Sequence, residues 1–241
     1  MLVLALDTTS EYGGAALFSD RECLSEERSQ SAEGYSVTLF QMVDRLIETA
    51  GAKGTTPIRG LADIGLYAVA NGPGSFTGIR VGLAAAQAWA KAFGRPAFGV
   101  SVLDAMVDEA HPDTDLAVPI LDARRSEFYR GVFRRSLAEG RVFEAEGDGE
   151  LLSPVALAGS FGALLRSGVS ITCVTREHDR SAASFRESLP PQVQWQSVAG
   201  LLLAPIARKA LAAFRQGKTP SPAELDACYI RHTDAELHWK E

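Results

Sequence analysis

Apolar positions run in short unbroken stretches at the start of the chain and switch to helical spacing further on. Leu2 to Leu6 form an apolar run that stops at Asp7-Thr8-Thr9-Ser10, and Gly13-Gly14 lead into a second run, Ala15 to Phe18, closed by Ser19-Asp20. Strand, turn and strand are predicted, with a third strand from Cys23 to Arg28. From Ser36 the period changes: Val37, Phe40, Val43 and Ile47 share a stripe, Leu39, Met42, Leu46 and Ala50 widen it, and Gly51 stops it. This predicts a helix over Ser36–Ala50 with a broad apolar face. Ile64 to Ala70 reads as a buried strand, followed by Asn71-Gly72-Pro73-Gly74-Ser75-Phe76-Thr77-Gly78. Ile79 to Phe93 is then a helix, apolar on almost every side and ended by Gly94-Arg95-Pro96. So little polar surface requires cover on more than one side.

The second half starts after Pro112. Leu116 to Leu121 predicts a strand ending at Asp122, Glu127 to Phe133 its hairpin partner across Ala123-Arg124-Arg125-Ser126, and Arg141 to Ala145 a third strand. A helix opens at Pro154 and runs to about Arg166, Ser170 to Val174 is a strand, and Ala199 to Gln216 a helix closed by Gly217 and Pro220. The tail from Ser221 is polar and reads as irregular. Each half begins with strands and proceeds to helices, which suggests two α/β lobes related by duplication, 1–106 and 107–241, with the last helix packing back on the first lobe. No period of 20 to 50 residues marks a solenoid.

The 241 residues suit one large or two modest domains, and 46% hydrophobic against 22% charged residues suits an ordered globular chain. The net charge of −6 gives no global positive field for gripping phosphates, so any nucleic acid would be held mainly by another subunit. Cys23, Cys173 and Cys228 are far apart and form no C-x-x-C pair, which favours a reducing cytoplasm over a disulfide framework or a zinc ribbon. The start lacks the charged region and cleavage site of a signal peptide, and no apolar stretch approaches membrane-spanning length.

The sharpest local feature is Gly72 to Gly78, where a strand, small residues and a helix N-terminus bring backbone N–H groups together. An anion site is one reading. The other is that the glycines permit left-handed geometry and close helix–sheet packing. The segment fits neither the P-loop spacing, lacking a Lys after Gly78, nor G-x-G-x-x-G. Asp7 and Asp122, each at a strand end, could hold hydrated magnesium or serve as turn residues. Arg124 and Arg125 could meet an anion or only water. His111, His178, His232 and His238 include no i, i+4 pair, and Ser75 sits in no nucleophile elbow. Cys173 and Trp89 read as core or interface residues.

Four segments carry a family resemblance: Leu4-Ala5-Leu6-Asp7-Thr8-Thr9-Ser10, Gly72-Pro73-Gly74-Ser75-Phe76-Thr77-Gly78-Ile79-Arg80-Val81-Gly82, Pro119-Ile120-Leu121-Asp122-Ala123-Arg124 and Tyr229-Ile230-Arg231. In that order they resemble TsaB, once called YeaZ, the dimerisation subunit of the bacterial machinery that makes threonylcarbamoyladenosine in tRNA. The resemblance implies an actin/Hsp70/sugar-kinase-like fold of two lobes about a cleft. It also implies a non-catalytic subunit with no metal or cofactor of its own, since the H-x-x-x-H site belongs to the relative TsaD. Asp7, Gly72, Gly74, Ser75, Thr77, Gly78 and Arg80 would form a degenerate phosphate-type loop, and Asp122 and Arg124 the second-lobe motif.

The implied partners are TsaD, TsaE and, through the complex, tRNA, with no membrane contact; a homodimer could reuse the same helices. Family dimers pair the first two helices, which assigns Val37, Phe40, Val43, Leu83 and Trp89 to the interface. Two departures stand out. Tyr35-Ser36 replaces the usual His-Ser, and Thr175-Arg176-Glu177-His178 replaces a Gly-rich turn that holds adenosine in kinases of this fold. Alternatives from other classes are an ATP-dependent phosphotransferase of the same fold and a peptidase, the latter without metal ligands or a paired nucleophile.

Overall fold

The computed structural model describes residues 1–20, 22–30, 35–53, 58–136 and 142–231. The elements of the first half are β1 (Leu2–Asp7), β2 (Tyr12–Ser19), β3 (Glu22–Gln30), α1 (Thr38–Lys53), β4 (Leu66–Gly72), α2 (Phe76–Phe93), β5 (Ala97–Ser101) and α3 (Val102–Ala110). Those of the second are β6 (Leu116–Asp122), β7 (Phe128–Arg130), β8 (Phe133–Arg135), β9 (Phe143–Ala145), β10 (Glu150–Leu152), α4 (Pro154–Leu165), β11 (Ile171–Arg176), α5 (Arg180–Phe185), β12 (Gln194–Val198) and α6 (Leu203–Arg215). Two compact units result: residues 1–105 with 201–228, and residues 106–200 with the chain from 229.

The first unit holds a five-stranded sheet of order β3-β2-β1-β4-β5. β1 and β2 are antiparallel, as are β2 and β3, whereas β4 joins β1 and β5 joins β4 in parallel. Because strand side chains alternate between faces, Leu4, Leu6, Ala15, Leu17, Tyr67 and Val69 share one face, and they form one core with Leu39, Met42 and Leu46 of α1 and Ile79, Leu83 and Ala86 of α2. α6 packs on β1 and β4. It buries Leu203, Ile206, Ala207, Ala210 and Leu211, an i, i+3, i+4, i+7, i+8 stripe. α2 ends where the sequence places its stop, with Gly94 left-handed at φ 61° and its N–H donated to the Ala90 carbonyl.

The second unit repeats that order as β10-β7-β6-β11-β12, with β8 beside both β6 and β9. Ile120 faces Arg130 and Leu116 faces Arg134, so β7 and β8 lie in one antiparallel register along β6. The register is interrupted at Pro119, which has no N–H to give, while its carbonyl still accepts from Gly131 N at 3.1 Å. Two antiparallel pairings on one side of a central strand and two parallel ones on the other therefore occur in both units. This doubled arrangement is the α/β fold of the actin/Hsp70/sugar-kinase class. β5, α3, β10, α5 and β12 are elements the sequence pattern does not announce.

Candidate functional site

The end of β1 and the start of α2 meet in a closed junction. Asp7 is fully buried, and its Oδ1 accepts from the Thr9 N–H at 3.1 Å and the Thr9 hydroxyl at 2.6 Å, the turn-residue role. Ser75 N–H donates to the Thr9 carbonyl at 2.6 Å, and the Thr8 hydroxyl donates to the Gly78 carbonyl at 2.7 Å. A Cβ on Gly74 would stand 2.4 Å from the Thr9 oxygen, one on Gly78 1.9 Å from the Thr8 oxygen, and one on Gly82 2.6 Å from the Thr8 hydroxyl. The glycines are there because two backbones touch. Further along, Gly78 N–H donates to the Ser75 hydroxyl at 3.3 Å and Ile79 N–H to the Ser75 carbonyl at 2.8 Å. The N–H groups of Ser75, Gly78 and Ile79 are thus bonded within the chain, and of the two readings of the glycine run the geometry, with the glycines pressed on Thr8 and Thr9, supports packing. Thr77 is exposed, and so is Arg80, whose guanidinium lies 3.7 Å from the centre of the Phe76 ring.

A strap from the C-terminal side closes the other edge of this junction. Gly72, at φ +118°, leaves no room for a Cβ, which would come within 2.6 Å of the Cys228 carbonyl. Cys228 N–H donates to the Asn71 carbonyl at 2.8 Å, Asn71 Nδ2 to the Asp226 carbonyl at 3.1 Å and Gln87 Nε2 to the Leu225 carbonyl at 2.6 Å. Leu225 itself joins the core beneath α2.

Two large apolar side chains stand open at the start of α1. Val37 is 66% exposed and Phe40 49% exposed, with the Phe40 ring edge-on to Trp89 at 5.7 Å. Trp89 keeps only 8% of its surface, and Leu83 and Val43 are buried with the sheet-facing core. Phe76, Ala84 and Ala88 are also exposed on α2, the two alanines one turn apart. These three were missed because alanine carries little pattern and Phe76 belongs to the glycine motif. Tyr35 is buried against Gly13: a Cβ there would meet its ring at 2.5 Å. Its hydroxyl donates to the Glu11 carbonyl at 2.7 Å.

In the second unit Asp122 and Asp179 organise the β6–β7 hairpin. Asp179 caps α5, accepting from Ala182 N at 2.9 Å and from Asp122 N at 2.8 Å. Burial pushes its carboxyl above the usual carboxylate range. Asp122 accepts from Ser181 Oγ at 2.9 Å and Arg124 N at 2.7 Å. Arg124, Arg125 and Ser126 follow at φ 63°, 54° and 58°, three left-handed residues of which none is glycine. Thr175 and Arg176 end β11, and His178 follows with φ 71°. Cys173 is fully buried, and its thiol is pushed far up by burial. Among the described residues no three His, Cys, Asp or Glu side chains cluster as metal ligands, and no helix is long and apolar enough to cross a membrane. His232 and His238 lie outside the described residues.

Residues 28–144 match the family model described as TsaD: tRNA N6-adenosine threonylcarbamoyltransferase. Curated relatives named tRNA threonylcarbamoyladenosine biosynthesis protein TsaB include that of Bacillus subtilis, 29% identical over 56% of this chain and 56% of its own length. That of Escherichia coli is 30% identical over 64% of this chain and 63% of its own. The chain thus spans less than two thirds of these relatives. YeaZ from Pseudomonas aeruginosa superposes with a TM-score of 0.72 at 22% identity, covering 95% of this chain and 99% of that one. The chain is similar in sequence to the curated TsaB proteins over a little more than half its length, and shares its fold with YeaZ over nearly all of it.

Proposed function

We propose that the chain is a non-catalytic subunit required for threonylcarbamoyladenosine formation at the tRNA adenosine 3′ of the anticodon. It pairs with a TsaD-type transferase in the cytoplasm. TsaE and tRNA join through that complex, and the same helices form a homodimer when the transferase is absent. The observation that carries this is the pair of large apolar side chains at the start of α1, Val37 and Phe40, held in solvent beside core helices. A single large aromatic that is half exposed and braced by a buried Trp has the anatomy of an interface anchor. The junction at Gly72–Gly78, its glycines packed on Thr8 and Thr9 and the Ser75 and Gly78 N–H groups bonded within the chain, supports a role without phosphoryl transfer.

The test is calorimetric titration of the chain with its cognate TsaD, wild type against Phe40→Asp. Loss of an anchor worth at least about 2 kcal/mol weakens binding by roughly 30-fold or more, with the circular dichroism spectrum unchanged. Unchanged affinity would remove α1 from the interface. Tight binding of ATP–magnesium by the chain alone would instead favour the phosphotransferase.

A further inference from the structure

Away from the apolar helix face, the first unit contains a cavity of about 730 Å³ between the C-terminal end of α2 and the segment that leads into the strap. Its size is that of small-molecule sites. Pro96, Phe214, Pro220 and Pro222 line it, so much of the wall is apolar, and three of its backbone positions have no N–H and a fixed φ. Such a wall is preformed. Gln87 also lines it, but its amide nitrogen is committed to the Leu225 carbonyl at 2.6 Å.

Two cations complete the lining. Lys91 and Arg95 are both exposed, and neither has an ion-pair partner among the described residues. Glu224, the acidic residue next to the lining, accepts from Ser221 N at 2.9 Å in a capping box. The α2 C-terminus contributes a partial negative charge of only about half a unit, small beside two full positive charges. Its Ala90 carbonyl is already capped by the N–H groups of Gly94 and Arg95.

We propose that this cavity binds a small amphipathic anion: an aromatic or acyl body against Phe214 and the prolines, with one carboxylate, sulfonate or phosphate group between Lys91 and Arg95. The site is separate from the partner-binding reading and stands whether or not that reading holds. Its recognition is geometric and electrostatic, and no bond is made or broken.

The probes are 1-anilinonaphthalene-8-sulfonate and its uncharged relative N-phenyl-1-naphthylamine, titrated by fluorescence into the full chain. One saturable sulfonate site is expected, weakened at least tenfold by Lys91→Ala with Arg95→Ala, while the uncharged probe binds both forms alike. Octanoate displaces the sulfonate and octanol does not. Both substituted residues are exposed, and an unchanged melting temperature confirms that the fold is intact. Sulfonate affinity unaltered in the double variant would assign the dye to another apolar surface and overturn the proposal. Equal displacement by octanol would overturn it too, because charge would then play no part.

Discussion

Alanine at Gly78 is the sharpest test of the closed junction. Its Cβ would sit 1.9 Å from the Thr8 carbonyl oxygen and 3.1 Å from the Thr8 carbonyl carbon, both backbone atoms that no rotamer change can move. The two segments must separate by about 1.5 Å before ordinary contact is restored. That opening stretches the Thr8 hydroxyl bond to Gly78 O, now 2.7 Å, and the Ser75 N–H bond to Thr9 O, now 2.6 Å, past useful length. Two buried hydrogen bonds at about 1 kcal/mol each, with roughly 1–3 kcal/mol of overpacking, outweigh the roughly 1 kcal/mol that alanine adds as a helix former. The net loss is about 2–4 kcal/mol, a large share of a typical domain's stability. Urea denaturation measures it. Gly159, inside α4 with nothing within 4 Å of its would-be Cβ, is the internal control: alanine there is expected to stabilise by up to about 1 kcal/mol. A Gly78→Ala protein within about 0.5 kcal/mol of wild type would refute the packing account and return the glycines to a ligand-binding role.

Tyr35→Phe removes the hydroxyl that binds the Glu11 carbonyl and is expected to cost about 1–2 kcal/mol in thermal or chemical unfolding, with partner binding retained. Asp179 holds its proton more tightly folded than unfolded, so its contribution to stability falls as pH rises from the unfolded carboxyl value near 3.8 through the higher folded one. Unfolding curves across that window should therefore show wild type losing stability relative to Asp179→Asn as pH increases; a difference flat in pH would deny the shift. Ser126→Gly relieves one of three consecutive left-handed residues and is expected to raise stability by about 1 kcal/mol, a gain that an unchanged unfolding midpoint would contradict.

The elements the pattern announces are those with a long apolar run or a strong stop. β1, β2, β4 and α2 belong here, the last ended by Gly94 within the sequence Gly-Arg-Pro. β5 was invisible because it is five residues long, contains Gly99 and passes into α3 with no linker between Ser101 and Val102. β12 hides in a sequence of mostly polar residues, Gln194 to Val198, paired only to β11. For the helix face the limit is different. Helical spacing marks Val37, Phe40 and Val43 as one stripe, but it cannot say that the sheet takes Val43 and leaves Phe40 in solvent. The glycine run posed an anion site against close packing. The deciding atoms are the carbonyls of Thr8 and Thr9, some seventy positions away in sequence, which no local pattern contains.

The first unit is assembled from both ends of the chain, and this bears on its synthesis. β1 through β5 emerge first, yet α6, which packs on β1 and β4, follows only after roughly a hundred further residues. At about 5–20 residues per second that is on the order of 5–20 s during which the sheet face destined for α6 has no helix over it. A nascent chain in that interval presents Val3, Ala5 and Leu66 to solvent as a sticky surface. Slow codons between Ser101 and Leu203 would lengthen the exposure and raise the chain's demand for chaperones on the ribosome.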